Sequence, residues 1–160
     1  MPVDADARII TVRDAVAADI VAEIAKKTST GTAISQRFEV TTYYIDDYQL
    51  ENMKNVRVTV KIAGAATEAL DRGPSSTDNY LFEISVQQAC RQQDTEKLDE
   101  LLCLAKRISK RYYPNFQLSA FANPVVVQGN ESELYNEVCL RDGRHFHSRI
   151  NLTFSEFVSD

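Results

Sequence analysis

Two histidines and a cysteine near the end of the chain have the residue types and spacing of a metal site. His145 and His147 alternate in a segment with strand periodicity, so both imidazoles share one face, and Cys139 would supply a third ligand. The intervening Arg141-Asp142-Gly143-Arg144 is typical of a turn that returns Cys139 towards the pair. No fourth ligand is indicated, and the pair falls at the start of the strand. We predict no metal and no cofactor, and keep a metal-dependent enzyme that uses these three residues as an alternative.

Acidic residues in a polar connection form a second candidate group. Asp46, Asp47 and Glu51 would serve acid–base or cation chemistry only if two carboxylates were held close together in a cleft. Because aspartate is common in turns for reasons of backbone geometry, we interpret them as a solvated turn. The sequence has only two histidines, no Gly-x-Ser-x-Gly elbow and no glycine-rich phosphate loop. We therefore predict that the protein is not an enzyme.

A basic and aromatic patch ends the second predicted helix: Lys106, Arg107, Lys110, Arg111, Tyr112 and Tyr113. Such a combination can contact phosphate, although cations near a helix C-terminus are stabilised by the helix dipole without any ligand. The 160-residue chain has 18 Lys and Arg against 23 Asp and Glu, a net charge of −5. That balance argues against a free-standing nucleic-acid or membrane binder. Contact with DNA through Lys106, Lys110 and Arg111 remains a hypothesis.

The hydrophobic pattern predicts one α+β domain over residues 1–160. Each helix has a single apolar stripe, and each strand has one apolar and one polar face. This pattern favours a two-layer sandwich, in which both helices pack on one face of a mixed, mainly antiparallel sheet. The predicted order is α-β-β-β-α-β-β, with helices over 12–27 and 95–112 and strands over 37–44, 55–62, 79–87, 125–127 and 146–155.

Two further features concern connections and cysteines. Residues 63–78 are predicted to be a long polar loop between two good strands, either a projecting functional arm or a mobile segment. Cys90, Cys103 and Cys139 cannot all pair within one chain and contain no Cys-x-x-Cys clip, so reduced thiols are expected. With no signal peptide and no spanning segment, we expect synthesis and retention in a cytoplasm.

Three stretches resemble the tail terminator, or tail completion, proteins of long-tailed bacteriophages and prophages. They cover about two-thirds of the chain: residues 43–53 leading into 56–60, residues 80–88 followed by the helix 98–112, and residues 149–154. The resemblance implies a non-enzymatic subunit of a homohexameric ring on the head-proximal end of the tail tube. Such a ring stops tube polymerisation and then presents a surface to the connector of the filled head. His145-Phe146-His147 and the 139–143 turn have no counterpart in that family.

The resemblance also implies partners and surfaces. A ring built from heterologous contacts needs two different complementary patches on each chain, and the polar sheet face and the 63–78 arm are the candidates. The interface residues that we name on this basis are Arg57, Lys61, Arg72, Asp78, Glu83 and Arg149. Expected partners are further copies of the chain, the tail tube protein and a head-closure or connector protein, with DNA only passing through the channel and no membrane. The protein would be made in the host cytoplasm and reside in the virion neck.

The main rivals in the same setting are the other neck subunits. Head-closure proteins, or stoppers, are typically small β-barrels, whereas adaptors are mainly helical. Two amphipathic helices on a sheet favour the terminator over both.

Overall fold

The computed structural model describes residues 5–28, 31–32, 38–45, 48–69, 76–119, 121 and 123–158. Its helices are α1 (Ala5–Ala25), α2 (Thr95–Arg111) and α3 (Glu137–Arg141), and a 3-10 turn spans Leu50–Met53. Its strands are β1 (Lys27–Thr28), β2 (Gly31–Thr32), β3 (Phe38–Thr41), β4 (Val56–Ala69), β5 (Ser76–Ala89), β6 (Val125–Glu133) and β7 (His145–Val158). No helix in the described part of the chain is long and apolar enough to cross a membrane.

Five strands form one mixed sheet in the order β3-β4-β5-β7-β6. β3 is parallel to β4, and the other neighbours are antiparallel. The register places apolar residues of the central strands opposite one another, with Val60 facing Ile84 and Ile84 facing Ile150. β1 and β2 form a separate two-stranded ribbon. The predicted mixed, mainly antiparallel sheet is confirmed.

Both long helices cover the same face of this sheet. α1 buries one residue per turn, and α2 buries its stripe against the central strands. The helix residues in this core are Val12, Val16, Ile20 and Ile24 of α1 and Leu101, Leu104, Ala105 and Ile108 of α2. Burial of each large aliphatic side chain contributes roughly 1.5–3 kcal/mol, so the layer contact is the main source of stability. The predicted two-layer α+β sandwich is confirmed.

The prediction of a long loop over 63–78 is wrong for residues 63–69 and 76–78. β4 continues to Ala69, which pairs with Ser76 at the start of β5. The two strands form a long hairpin whose residues 70–75 lie outside the described residues. A β-bulge between Ile62 and Gly64 shifts the register, so the alternation of faces breaks and small residues follow. The period-two pattern is therefore lost at the bulge although the strand continues.

Element boundaries differ in smaller ways. α1 begins at Ala5 and ends at Ala25, so the predicted helix end at residue 27 is wrong. β3 ends at Thr41 instead of residue 44, and the predicted short strand at 125–127 extends to Glu133. Polar residues in the second half of β6 and a bulge between Val127 and Gly129 hide this length in the sequence. The predicted order α-β-β-β-α-β-β lacks the short helix α3 and the two-stranded β1–β2 ribbon.

Candidate functional site

The sheet face opposite the helices, here called the open face, carries the polar residues that alternate with the core. On this face Nζ of Lys61 lies 3.1 Å from Oε1 of Glu83. Arg57 pairs with Glu39 at 3.3 Å, and its guanidinium lies 4.8 Å from the ring centre of Tyr48. Three of the expected interface residues thus have partners within the chain: Arg57, Lys61 and Glu83.

The connection from β3 to β4 closes one end of the open face. The hydroxyl of Tyr48 lies 2.7 Å from Oγ1 of the fully buried Thr59 and 3.1 Å from Oγ1 of Thr41. These bonds satisfy the buried Thr59 hydroxyl, which would cost about 1–3 kcal/mol if it had no hydrogen-bond partner. The described acidic residue of this connection, Glu51, is exposed on the 3-10 turn, whereas residues 46 and 47 lie outside the described residues.

The other proposed interface residues have different environments. Arg149 is exposed on the open face. Asp78 accepts a hydrogen bond from Oγ1 of Thr67 at 2.8 Å, and Arg72 lies outside the described residues. Leu81 and Phe157 add exposed apolar surface, with 38% and 55% of each residue accessible. Free surface on the open face is therefore concentrated along the hairpin and β7.

Larger apolar patches lie at the two opposite edges of the sheet. The β3-edge patch consists of Tyr43, Tyr44 and Ile45, which follow β3 after Thr42 and are 55%, 64% and 74% exposed. The β6-edge patch consists of Tyr135 and Val138, which follow β6 and are 50% and 56% exposed. Because β3 and β6 are the outermost strands, the two patches follow strands at opposite edges of the sheet. No local pattern in the sequence marks the residues of either patch as a surface.

The basic end of α2 lies against α1. Nη2 of Arg111 is 3.0 Å from Oδ1 of Asp19, and Nε of Arg107 is 3.4 Å from Oε1 of Glu23. Burial alone would raise the pKa of Glu23, but hydrogen bonds and charge from Lys26, Arg107 and Arg111 lower it below its usual range. Two of the predicted basic residues are thus ion-paired. Lys106 and Lys110 remain exposed beside a shallow pocket at this helix end.

Tyr112, the residue after α2, also contacts α1. It is fully buried, and its hydroxyl donates to Oδ2 of Asp19 at 2.8 Å. Burial raises the pKa of Tyr112, and the neighbouring Asp19 carboxylate raises it further. Tyr112 therefore stays neutral and has a structural role. Most of the predicted basic and aromatic patch thus forms contacts between α1 and α2.

Cys139, His145 and His147 are brought together by α3 and the first residues of β7. One potential ligand atom from each lies within 4.8 Å of the other two. The cluster is half-buried at Cys139 and His145 and buried at His147. The turn between the elements therefore returns Cys139 to the histidine pair, as its sequence suggested. All three cysteines of the chain are unpaired, with Cys90 buried and Cys103 exposed on α2.

Comparisons with known proteins give no match by sequence and a likeness among solved structures. No family model matches the sequence, and no curated protein matches it. Among solved structures, the chain is similar to a chain from the virion of a native gene transfer agent particle, at 16% identity and a TM-score of 0.45. The alignment covers 90% of this chain and 94% of that chain. A likeness of this degree transfers neither a fold nor a role.

Proposed function

We propose that this chain is a tail terminator subunit: a structural virion protein that forms a ring on the head-proximal end of a phage tail tube. The observation that carries the proposal is the pair of different apolar patches on opposite edges of the sheet. The sequence resemblance to tail terminators supplies the setting. The proposed occupant of each patch is a second copy of this chain.

Ring closure explains why two unlike patches are useful. In a heterologous contact, one surface of a subunit meets a different surface of the next, and a ring forms when the rotation closes. The β3-edge patch would pack on the β6-edge patch of the neighbouring copy, burying Ile45 against Val138. A stable interface buries about 1,600 Å² in total, so these side chains would form the apolar centre and the polar strand edges the rim.

The open face supports contact with the tube and the head connector. Its exposed residues combine a cation with apolar surface: Arg149, Leu81 and Phe157. On the rest of the face, the residues of the ion pairs Arg57–Glu39 and Lys61–Glu83 neutralise each other's charges within the chain. We propose that the hairpin end of the sheet meets the tube, and that Arg72 and Asp78 belong to this contact. Asp78 lies on the same face of β5 as Tyr80, which is the face that the helices cover.

Passage of DNA fits the charge distribution. Release of counterions from phosphate makes each lysine or arginine contact strengthen DNA binding. The net charge is −5, and Arg107 and Arg111 are occupied by carboxylates of α1. Lys106 and Lys110 would give at most a few weak contacts, so a channel lined by this chain would let DNA slide.

The architecture favours a terminator over the other neck subunits. An open five-stranded sheet with both long helices on one face resembles neither a small β-barrel stopper nor a mainly helical adaptor. A metal-dependent enzyme is a second candidate because Cys139, His145 and His147 meet. Two clefts beside α3 are lined by other residues, among them Arg91, Asp94 and Tyr135.

Deletion of the gene in a particle-producing host tests the proposal. Without a terminator, tube growth loses its stop, so electron microscopy should show tails longer than normal and not joined to heads. Restoring the gene should return the normal length. Loss of a stopper or adaptor would instead leave tails of normal length beside heads that lose DNA. Normal tail lengths in the deletion strain would refute the terminator role.

A further inference from the structure

The cluster of Cys139, His145 and His147 has the composition and the supporting contacts of a metal site. We propose that these three side chains bind one Zn²⁺ ion, which ties α3 to the start of β7. The proposal concerns binding and local structure, and it is independent of the role in a phage tail.

The distances leave little rearrangement for binding. Tetrahedral zinc has Zn–S bonds of about 2.3 Å and Zn–N bonds of about 2.0–2.1 Å, which place ligand atoms about 3.3–3.6 Å apart. The three candidate atoms already lie within 4.8 Å of one another. The imidazole ring centres of His145 and His147 are 5.9 Å apart, on the same side of β7. Small side-chain rotations would therefore complete the site.

A hydrogen bond prepares His145 for coordination. Its Nδ1 lies 3.1 Å from the carbonyl oxygen of Gly143. A carbonyl only accepts, so Nδ1 carries the proton and donates it, and the lone pair of the neutral ring is on Nε2. Backbone carbonyls commonly orient metal-binding histidines in this way.

The turn before β7 holds Cys139 in place. The side chain of Asn136 caps α3 by accepting a hydrogen bond from the Cys139 amide at 2.9 Å. A Cβ at Gly143 would lie 2.8 Å from the Cys139 carbonyl oxygen and from the His145 ring. Only glycine permits this approach. Arg144 next to it has a φ of 55°, a left-handed conformation that is strained for a non-glycine residue.

The donor set selects the metal. One sulfur and two imidazole nitrogens suit Zn²⁺ and Co²⁺, whereas Mg²⁺ and Ca²⁺ prefer oxygen. Cys139 binds as a thiolate, so its proton passes to solvent when the ion enters. Three protein ligands leave the fourth position to water. The ion would also fix α3, and with it Val138 of the β6-edge patch; this last consequence rests on the proposed function.

Cobalt titration of the full chain tests the site. The protein is produced without a histidine tag, stripped with a chelator and titrated with Co²⁺ while its absorption is recorded. We expect one Co²⁺ per chain, a sulfur-to-cobalt charge-transfer band, tetrahedral d–d bands, and loss of all of them when Zn²⁺ displaces the cobalt. Cys139→Ser should remove the charge-transfer band. His145→Gln and His147→Gln should each weaken binding by at least about tenfold.

The exposed Cys103 on α2 provides the matched control, because Cys103→Ser removes a thiol outside the cluster. This variant should keep the wild-type spectrum and affinity. A band that survives in Cys139→Ser, a band that is lost in Cys103→Ser, or no binding at all would overturn the proposal. Circular dichroism of each metal-free variant checks folding. Should Cys139→Ser fail to fold, the half-buried His145→Gln decides the question by affinity.

Discussion

Arg111 of α2 grips the carboxylate of Asp19 on α1 with two hydrogen bonds, Nη2 to Oδ1 at 3.0 Å and Nε to Oδ2 at 3.3 Å. The hydroxyl of Tyr112 donates to the same Oδ2 at 2.8 Å. The Asp19 carboxylate thus joins the C-terminal end of α2 to α1.

Asp19→Ala should destabilise the fold more than its exposure suggests. The substitution leaves the buried Tyr112 hydroxyl with only a long 3.5 Å contact to the Val16 carbonyl oxygen, and it leaves Arg111 with a 3.8 Å contact to Glu23 as its remaining ion pair among the described residues. We expect the free energy of unfolding to fall by about 1–3 kcal/mol, measured by urea denaturation. Asp14→Ala, at an exposed position on the same helix, is the control and should change it by less than about 0.5 kcal/mol.

Tyr112 should make stability sensitive to alkaline pH. Its folded pKa is raised above the ordinary value of 10.0 by burial and by Asp19, so the folded chain keeps a proton that the unfolded chain releases. The stabilisation is fully present below pH 10.0 and is lost as the pH rises above it. The urea concentration at the unfolding midpoint should therefore be lower above that pH than below it.

Tyr112→Phe should reduce this fall of the urea midpoint at alkaline pH. Tyr113→Phe, at an exposed position, should not reduce it. Some slope should remain because burial and Glu156 also raise the pKa of Tyr80. An unchanged slope in Tyr112→Phe would contradict the assignment.

Sequence periodicity predicted what depends on burial of a single face. The recurrence of Val12, Val16, Ile20 and Ile24 identifies α1, and the alternation around Ile84 identifies β5. Periodicity failed where burial is weak, as in the exposed half of β4 after its bulge, because neither face there is required to be apolar. Local signals would have helped at α3, where Asn136 before Glu137 is typical of a helix N-cap.

The candidate site was predictable in part. Strand alternation put His145 and His147 on one face, and the turn residues before them placed Cys139 nearby. The edge patches were not predictable, since Tyr43 and Tyr44 fit a strand as well as an exposed connection. Which strand is at the edge depends on long-range pairing that no local pattern encodes.

Two glycines should respond oppositely to alanine. Gly64 has open space around the position of an added Cβ and no left-handed φ, so Gly64→Ala should be neutral or stabilise by up to about 1 kcal/mol through the unfolded chain. In Gly143→Ala, the added Cβ would clash with the Cys139 carbonyl oxygen and with the His145 ring, so both must move away from it. We expect it to lower the thermal midpoint and to weaken Co²⁺ binding, whereas Gly64→Ala should bind Co²⁺ normally. Equal behaviour of the two variants would argue against a closed turn.

Charge placed in either edge patch should disrupt the ring. Ile45→Glu in the β3-edge patch and Val138→Glu in the β6-edge patch would each put a carboxylate into the apolar centre of the proposed contact, at a cost of several kcal/mol. In a deletion strain that expresses either variant, tails should exceed the normal length. Val21→Glu, at an exposed position on α1, is the control and should restore normal tails.

A mixture of the two purified variants distinguishes heterologous from isologous contacts. In a heterologous ring, the intact β3-edge patch of Val138→Glu can meet the intact β6-edge patch of Ile45→Glu, but the remaining patches cannot join. At concentrations where the wild type assembles, sedimentation should show a heterodimer in the mixture and monomers in each variant alone. If the patches instead paired with themselves, Val138→Glu alone would still dimerise through Ile45, and that outcome would exclude a ring built from these two edges.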